Sequence, residues 1–344
     1  MKAVVLKQPG IVPVLAYTDV PDPVIQPDEL LIKVLSVGLC RHDFLVMNGT
    51  LRRGIPSDAI LGHEVCGEVI GKGELIEDFT IGERIVTLLT QSCGICEQCQ
   101  KGNDHRCDNG VGIGHGSQGG FAELLAVKQN SAIKIPDFIS TDIAPLLTCP
   151  IGVGIQALTE VANISAGQSV AITGASGGLG IHVAQVAKSM GCTTFGITSS
   201  EGKISSLMEL GLDEIVLASD DLDFSEILMA MTADQGVDVF IDCVGSKFFG
   251  SCIKSLTSHG KLILLGELGN SKAEVNLAEI LFRDLTIKGS TGARRRHVLQ
   301  AIALIENKQL KPVVHTKLPL KDMLIAYGWM QENKLFGRIV LSLT

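Results

Sequence analysis

The chain has 344 residues, room for about two domains at roughly 150 residues each, and its 46% hydrophobic and 19% charged residues exclude a disordered polymer. With 29 Lys plus Arg against 37 Asp plus Glu the formal charge is −8, and aromatics make up only 4%, so a coat built for nucleic acid is excluded as well. Small molecules are the expected partners, with no membrane, because no apolar stretch approaches the roughly 18 to 20 residues of a bilayer crossing.

From Met1 to residue 145 the chain runs through short β-type segments, AVVL, ELLIKVLSVG, GEVIG and ERIVTLL, separated by Gly, Pro and Asp clusters. This predicts an irregular, mostly β domain over 1–145. From Leu146 the texture changes: SVAITG reads as a buried strand, and Gly180 to Met190 places apolar residues at helical spacing. Strand-like TTFGIT, EIVLAS, VDVFID, KLILLG and LTIKG follow, mostly with helical segments between them, which predicts a doubly wound parallel α/β sheet over 146–289. A helical segment after Gly289, then KPVVHTKLPL and FGRIVLSL, adds no further βαβ unit, so 290–344 is expected to return to the first domain.

Three candidate ligands stand apart along the chain: Cys40 after a strand-like run, His63 in LGHEVCGEV, and Cys149 near the second half. Singly, each reads as a buried filler or a satisfied polar residue. As a set of Cys/His/Cys type they leave a fourth metal position open, the arrangement of a catalytic zinc.

Between them, CGICEQCQKGNDHRC spaces Cys93, Cys96 and Cys99 for shared coordination, with Cys107 seven residues beyond the last gap. Four thiolates close a tetrahedral zinc shell with no open corner, a structural site. Iron–sulfur ligation and four free thiols are the competing readings. Cysteines packed this densely suit a metal rather than long disulfides, which places the chain in a reducing cytoplasm.

Next comes SVAITGASGGLGIHVAQVAKSMG, a glycine-rich turn between an apolar strand and an amphipathic helix. Gly177 and Gly180 fill the last two positions of GxGxxG, Ala175 replaces the first, and Gly174 and Gly178 give extra room beside Ser176 and Leu179. Such a turn brings backbone N–H groups to a pyrophosphate at a helix N-terminus. At the end of the following strand, FGITSSEGK offers Thr198, Ser199, Ser200 and Lys203 where NAD enzymes place a carboxylate, so NADP(H) is expected over NAD(H); Glu201 keeps NADH as the alternative. Further on, GSTGARRRH carries Arg294, Arg295 and Arg296, read either as a solvated helix start or as a phosphate contact to NADP or to a coenzyme A thioester.

Together GLCRHD, LGHEVCGEV, the four-cysteine lobe and Cys149 before a glycine-rich turn resemble the zinc-dependent medium-chain alcohol dehydrogenase/reductase family, over nearly the whole chain. The resemblance implies a GroES-like catalytic domain beside a Rossmann domain, with two zinc ions per chain, one catalytic and one structural. It matches Cys40, His63 and Cys149 to the catalytic zinc ligands, Glu64 to an acidic neighbour able to approach the metal, and Asp43 to a carboxylate orienting the ligand histidine. Arg41 matches a position that contacts cofactor pyrophosphate in many relatives. His42 departs from the Ser or Thr that passes the substrate proton in many of them, and Leu45 stands in place of a later histidine, so the usual relay is missing; His42 is the candidate acid or base. The implied activity is hydride transfer between NADP(H) and an alcohol or carbonyl held between the domains. Two alternatives stand beside it: NADPH-dependent reduction of an activated C=C such as an acryloyl-CoA-type thioester, and a noncatalytic NADPH-binding protein. The resemblance also implies a homodimer or homotetramer.

Overall fold

The computed structural model describes residues 1–52, 54–219, 223–269 and 271–343. By packing, the chain divides into two units. Unit 1 takes Met1–Gly152, Gly292–Glu306 and the described residues from Val314 onward; unit 2 takes Val153–Thr291 and Asn307–Val313. Residues 146–152 pack with the first unit and 307–313 with the second.

In unit 1, β1 (Lys2–Gln8) pairs antiparallel with β2 (Val14–Asp19). The main sheet is built on β3 (Glu29–Leu39), whose alternating buried positions Leu30, Ile32 and Val34 give it one core face. It pairs antiparallel with β4 (Glu64–Lys72), which in turn pairs with β5 (Arg84–Thr87). The short strands β6 (Thr90–Gln91) and β7 (Val111–Gly112) close the base of the cysteine lobe. Then β8 (Leu124–Lys128) pairs with β3, and β9 (Ala132–Lys134) with β5.

Unit 2 is a six-stranded parallel sheet of β10 (Ser169–Thr173), β11 (Thr193–Thr198), β12 (Glu214–Leu217), β13 (Val237–Asp242), β14 (Leu256–Leu264) and β15 (Thr286–Gly289), in the spatial order β12-β11-β10-β13-β14-β15. That is the Rossmann order, with the topological switch between β10 and β13. Buried Phe195, Ile197, Phe224, Phe240 and Leu262 make one apolar cluster of this unit, with the Phe224 and Phe240 rings 6.0 Å apart. The strands read as near-continuous apolar runs because a parallel sheet is covered on both faces. The chain then returns to unit 1 through β16 (Val314–Pro319) and β17 (Arg338–Ser342), the latter antiparallel to β3.

The sequence expectation that no stretch reaches membrane length needs one correction. Residues 144–162 are helical throughout in mixed 3-10, π and α turns and have a mean hydropathy of 1.2, but 78% of that window is buried inside the protein. It is core, apolar because protein surrounds it.

Candidate functional site

In unit 1, Cys40 follows β3 and caps α1 (Arg41–Met47), His63 precedes β4, and Cys149 sits in a π turn, Thr148–Gly152, tied down by the Thr148 hydroxyl donating to the Thr87 carbonyl at 2.9 Å. Ligand atoms of Cys40, His63, Glu64 and Cys149 all lie within 4.8 Å of one another, the two sulfurs 3.9 Å apart. Asp43, 2% exposed, organises them. Its carboxylate accepts from the Cys40 N–H at 3.0 Å and the Gly62 N–H at 3.2 Å, and lies 3.3 Å from His63 Nδ1. A proton held on Nδ1 leaves Nε2 free as a ligand, the arrangement expected of a metal-bound imidazole.

Glu64 and Arg338 begin neighbouring strands on either side of the end of β3, where Gly38 pairs with both Glu64 and Val340. A Cβ on Gly38 would lie 2.0 Å from Glu64 Oε2, so glycine opens the space the carboxylate fills. Arg338 Nη2 lies 3.1 Å from Glu64 Oε1, and neither carboxylate oxygen has an aligned hydrogen bond among the described residues. On the protein's own charges, burial pushes Glu64 up to about 8 against the pull of Arg338. The Cys149 thiol, Arg338 and His63 hold Cys40 well below its ordinary value, outweighing burial. Two sulfurs, one imidazole and a buried carboxylate with unspent lone pairs fit a zinc ion, with Cys40, His63 and Cys149 as its ligands.

The second cysteine set is also assembled. Ligand atoms of Cys93, Cys96, Cys99 and Cys107 lie within 4.8 Å of one another, and backbone N–H groups of Cys93 and Cys96 donate to the sulfurs of Cys107 and Cys93 at 3.3 and 3.4 Å. The backbone N–H groups of Ile95 and Cys96 stabilise the Cys93 thiolate and hold it down at about 6. Cys96 caps the short α2 (Glu97–Gln100). The four half-buried thiols fit a closed zinc site.

Beside the first set, the His42 ring lies 5.4 Å from that of His63 and 5.2 Å from that of His115. Burial and the neighbouring His63 push His42 down. His115 and Arg338 were missed in the sequence; a lone His among glycines and a lone Arg opening an apolar strand carry no local signal. Arg41, expected at a pyrophosphate, donates to the Met330 carbonyl at 3.0 Å and to Asn333 Oδ1 at 2.7 Å.

In unit 2 the glycine turn lies between β10 and α4 (Gly180–Ser189). Gly174 has φ +60°, and a Cβ on Gly180 would lie 2.4 Å from the Gly174 carbonyl, so both glycines are required by the backbone. Ala175 donates to the Ile197 carbonyl at 3.0 Å, and Gly177 to that of Gly174 at 2.9 Å, leaving Gly178 and Leu179 at the rim. The Ser176 and Thr198 hydroxyls are 3.2 Å apart, the Ser200 N–H donates to Thr198 Oγ1 at 3.3 Å, Ser199 is exposed, and Lys203 is half-buried. The structure thus joins Ser176 of the turn to Thr198 and Ser200 at the strand end.

Arg294 precedes α9 (Arg295–Glu306) in unit 1, its N–H donating to His297 Nδ1 at 3.2 Å. Arg295 donates to the Asn130 and Ala132 carbonyls at 3.2 and 2.8 Å. Burial and the cations Arg294 and Arg106 push His105 down to about 4.

A model of the zinc-binding dehydrogenase family matches residues 178–307, and one of the alcohol dehydrogenase GroES-like domain matches residues 26–137. The chain is 32% identical over 343 residues to an acryloyl-coenzyme A reductase of Metallosphaera sedula, covering 99% of this chain and 100% of that one. It is 30% identical over 323 residues to an L-threonine 3-dehydrogenase of Colwellia psychrerythraea, covering 92% and 93%. The solved alcohol dehydrogenase of the archaeon Aeropyrum pernix matches it with a TM-score of 0.91 at 25% identity, covering 99% and 100%. Two matched domains and relatives spanning the full length establish the chain as an oxidoreductase belonging to the zinc-dependent medium-chain dehydrogenase/reductase family.

Proposed function

We propose that the chain is a zinc-dependent enzyme that moves hydride between NADP(H) and an alcohol or carbonyl substrate. The buried Cys40, His63, Glu64 and Cys149 set carries this reading, since metal-type donors converging within 4.8 Å have no better structural use. Cys40, His63 and Cys149 would hold a zinc ion, which would supply a Lewis acid for the substrate oxygen, and a bound nicotinamide would supply the hydride chemistry. The protein's share is positioning. Asp43 holds the Nδ1 proton of His63 and the loop N–H groups of Cys40 and Gly62. Arg338 keeps the Glu64 carboxylate in place beside the ligands. The imidazoles of His42 and His115 are the groups that hold a proton for the substrate oxygen. Gly174 to Gly180 takes the pyrophosphate, and Thr198, Ser199, Ser200 and Lys203 take the 2′-phosphate.

A second reading is hydride transfer to an activated C=C of an enoyl thioester. The full-length likeness to an acryloyl-coenzyme A reductase favours it, and Arg294 then serves a phosphate of the coenzyme A. Assaying alcohols, aldehydes and enoyl thioesters with NADPH separates the two, because reduction of the C=C leaves the carbonyl intact. Turnover on none of them, with NADPH bound, would point to a noncatalytic nucleotide-binding role. We place a homodimer contact at β15, the sheet edge, beside Leu277, Leu281 and Phe282, which are 74, 68 and 81% exposed. A tetramer would need a further surface. Ten cysteines with no disulfide among them suit a reducing cytoplasm.

A further inference from the structure

One side chain completes the first turn of α4. In a regular helix the His182 N–H would close on the Gly178 carbonyl, four residues back. Here it donates to the Leu179 carbonyl at 3.1 Å instead, and no other backbone N–H among the described residues reaches Gly178. The His182 ring takes that place, with Nδ1 2.8 Å from the Gly178 carbonyl oxygen. On the other side of the ring, the Val313 N–H donates to Nε2 at 2.9 Å. A backbone N–H can only donate, so the proton of this fully buried imidazole sits on Nδ1 and goes to Gly178. The Val313 segment is itself held on α4: Gln185 accepts from the Lys311 N–H at 2.8 Å and donates to the Lys311 carbonyl at 3.0 Å. All of these residues belong to unit 2.

The carbonyl of Gly178 and the N–H of Leu179 are the two ends of one planar trans peptide and point opposite ways. Drawing the carbonyl along the helix toward His182 therefore turns the Leu179 N–H outward from the helix N-terminus. That N–H donates to no backbone carbonyl among the described residues, and Gly178 and Leu179 are both half-buried at the rim of the turn. It is one of the first-turn donors that an anion satisfies. Glycine at 178 has no Cβ to resist rotation of this peptide, so the restraint has to come from outside it.

We propose that His182 is a positioning residue for the cofactor pyrophosphate: as the Nδ1–H tautomer, fixed by Val313, it locks the Gly178–Leu179 peptide with the Leu179 N–H facing the anion. This rests on the reading that the chain binds a nicotinamide nucleotide.

The test compares two variants of the purified full-length protein. An Asn amide reaches about as far as Nδ1 and keeps the bond to Gly178, whereas a Gln amide reaches about as far as Nε2 and keeps only the acceptor for Val313. Calorimetric titration uses NADPH and 2′-phospho-ADP-ribose, which carry the pyrophosphate, and 2′-AMP, which does not. His182→Gln weakens the first two about tenfold, the loss of one hydrogen bond to a charged group, and leaves 2′-AMP unchanged. His182→Asn binds all three within about twofold of wild type, since the donor to Gly178 is restored. Nitrogen NMR of histidine-labelled, unliganded wild type, with His182 assigned by its absence from the Gln variant, shows a protonated Nδ1 and a bare Nε2. The opposite tautomer, or a proton on both nitrogens, overturns the inference. So does a His182→Gln protein that binds like wild type, a His182→Asn protein that binds no better than the Gln variant, or a loss extending equally to 2′-AMP, which marks general loosening of unit 2. Failure of wild type to bind any of the three probes overturns the nucleotide reading and this inference with it.

Discussion

Glu64 and Arg338 form a buried ion pair across the end of β3, 3.1 Å apart with side-chain exposures of 0 and 6%. A charge left alone at such a depth is costly, and removing one member of a buried pair destabilises by about 3–5 kcal/mol. Arg338→Met should therefore lower stability by about 3 kcal/mol in denaturant titration. Adding Glu64→Gln should recover part of that loss. If the double variant is no more stable than the single, the pair is not the reason Arg338 matters.

Asp43 works through His63. Asp43→Asn keeps the shape but removes the carboxylate that holds the Nδ1 proton. Orienting groups of this kind are worth about 10- to 100-fold in metal affinity. Competition with a chelator should show that loss at one zinc per chain, while the four-cysteine site keeps its metal. Equal loss from both sites would mean general unfolding.

Local spacing explains what was legible. Cys93, Cys96, Cys99 and Cys107 lie in one short loop, and Gly174 to Gly180 in one turn, so residue order alone carries their geometry. The alternation of strand and helix likewise carried the sheet of unit 2. Arg338 was not legible because it meets Glu64 only through the β17-β3-β4 order of the sheet. The Cys40, His63 and Cys149 set came from family resemblance as much as from spacing, since the three lie on separate elements.

Asp223 gives a pH test in unit 2. It caps α6 (Phe224–Met231) by accepting from the Ser225 N–H at 3.1 Å and lies 2.8 Å from Lys254 Nζ. Although burial pushes its carboxyl up, these partners win and hold it below its ordinary value. A depressed carboxyl stabilises the fold above the unfolded value of about 3.9, and that contribution is lost as pH falls through the lower folded value. Asp223→Ala should cost about 1 kcal/mol at pH 6. The gap between variant and wild type should close as the buffer is acidified below pH 4. A gap independent of pH would show that the carboxylate charge plays no part.

Cofactor choice is tested at Lys203, a half-buried cation after β11. A charge-assisted bond to a 2′-phosphate is worth about 1.5–3 kcal/mol, so Lys203→Ala should weaken NADPH at least tenfold and leave NADH unchanged. Equal effects on both cofactors, or a wild-type preference for NADH, would reject the proposed preference.

Anomalous scattering at the zinc edge, from crystals of the reduced, zinc-loaded protein, tests the central claim most directly. The account predicts two peaks per chain: one enclosed by Cys93, Cys96, Cys99 and Cys107, the other bounded by Cys40, His63 and Cys149. A single peak at the four-cysteine lobe, with none beside Asp43 and His63, would contradict it.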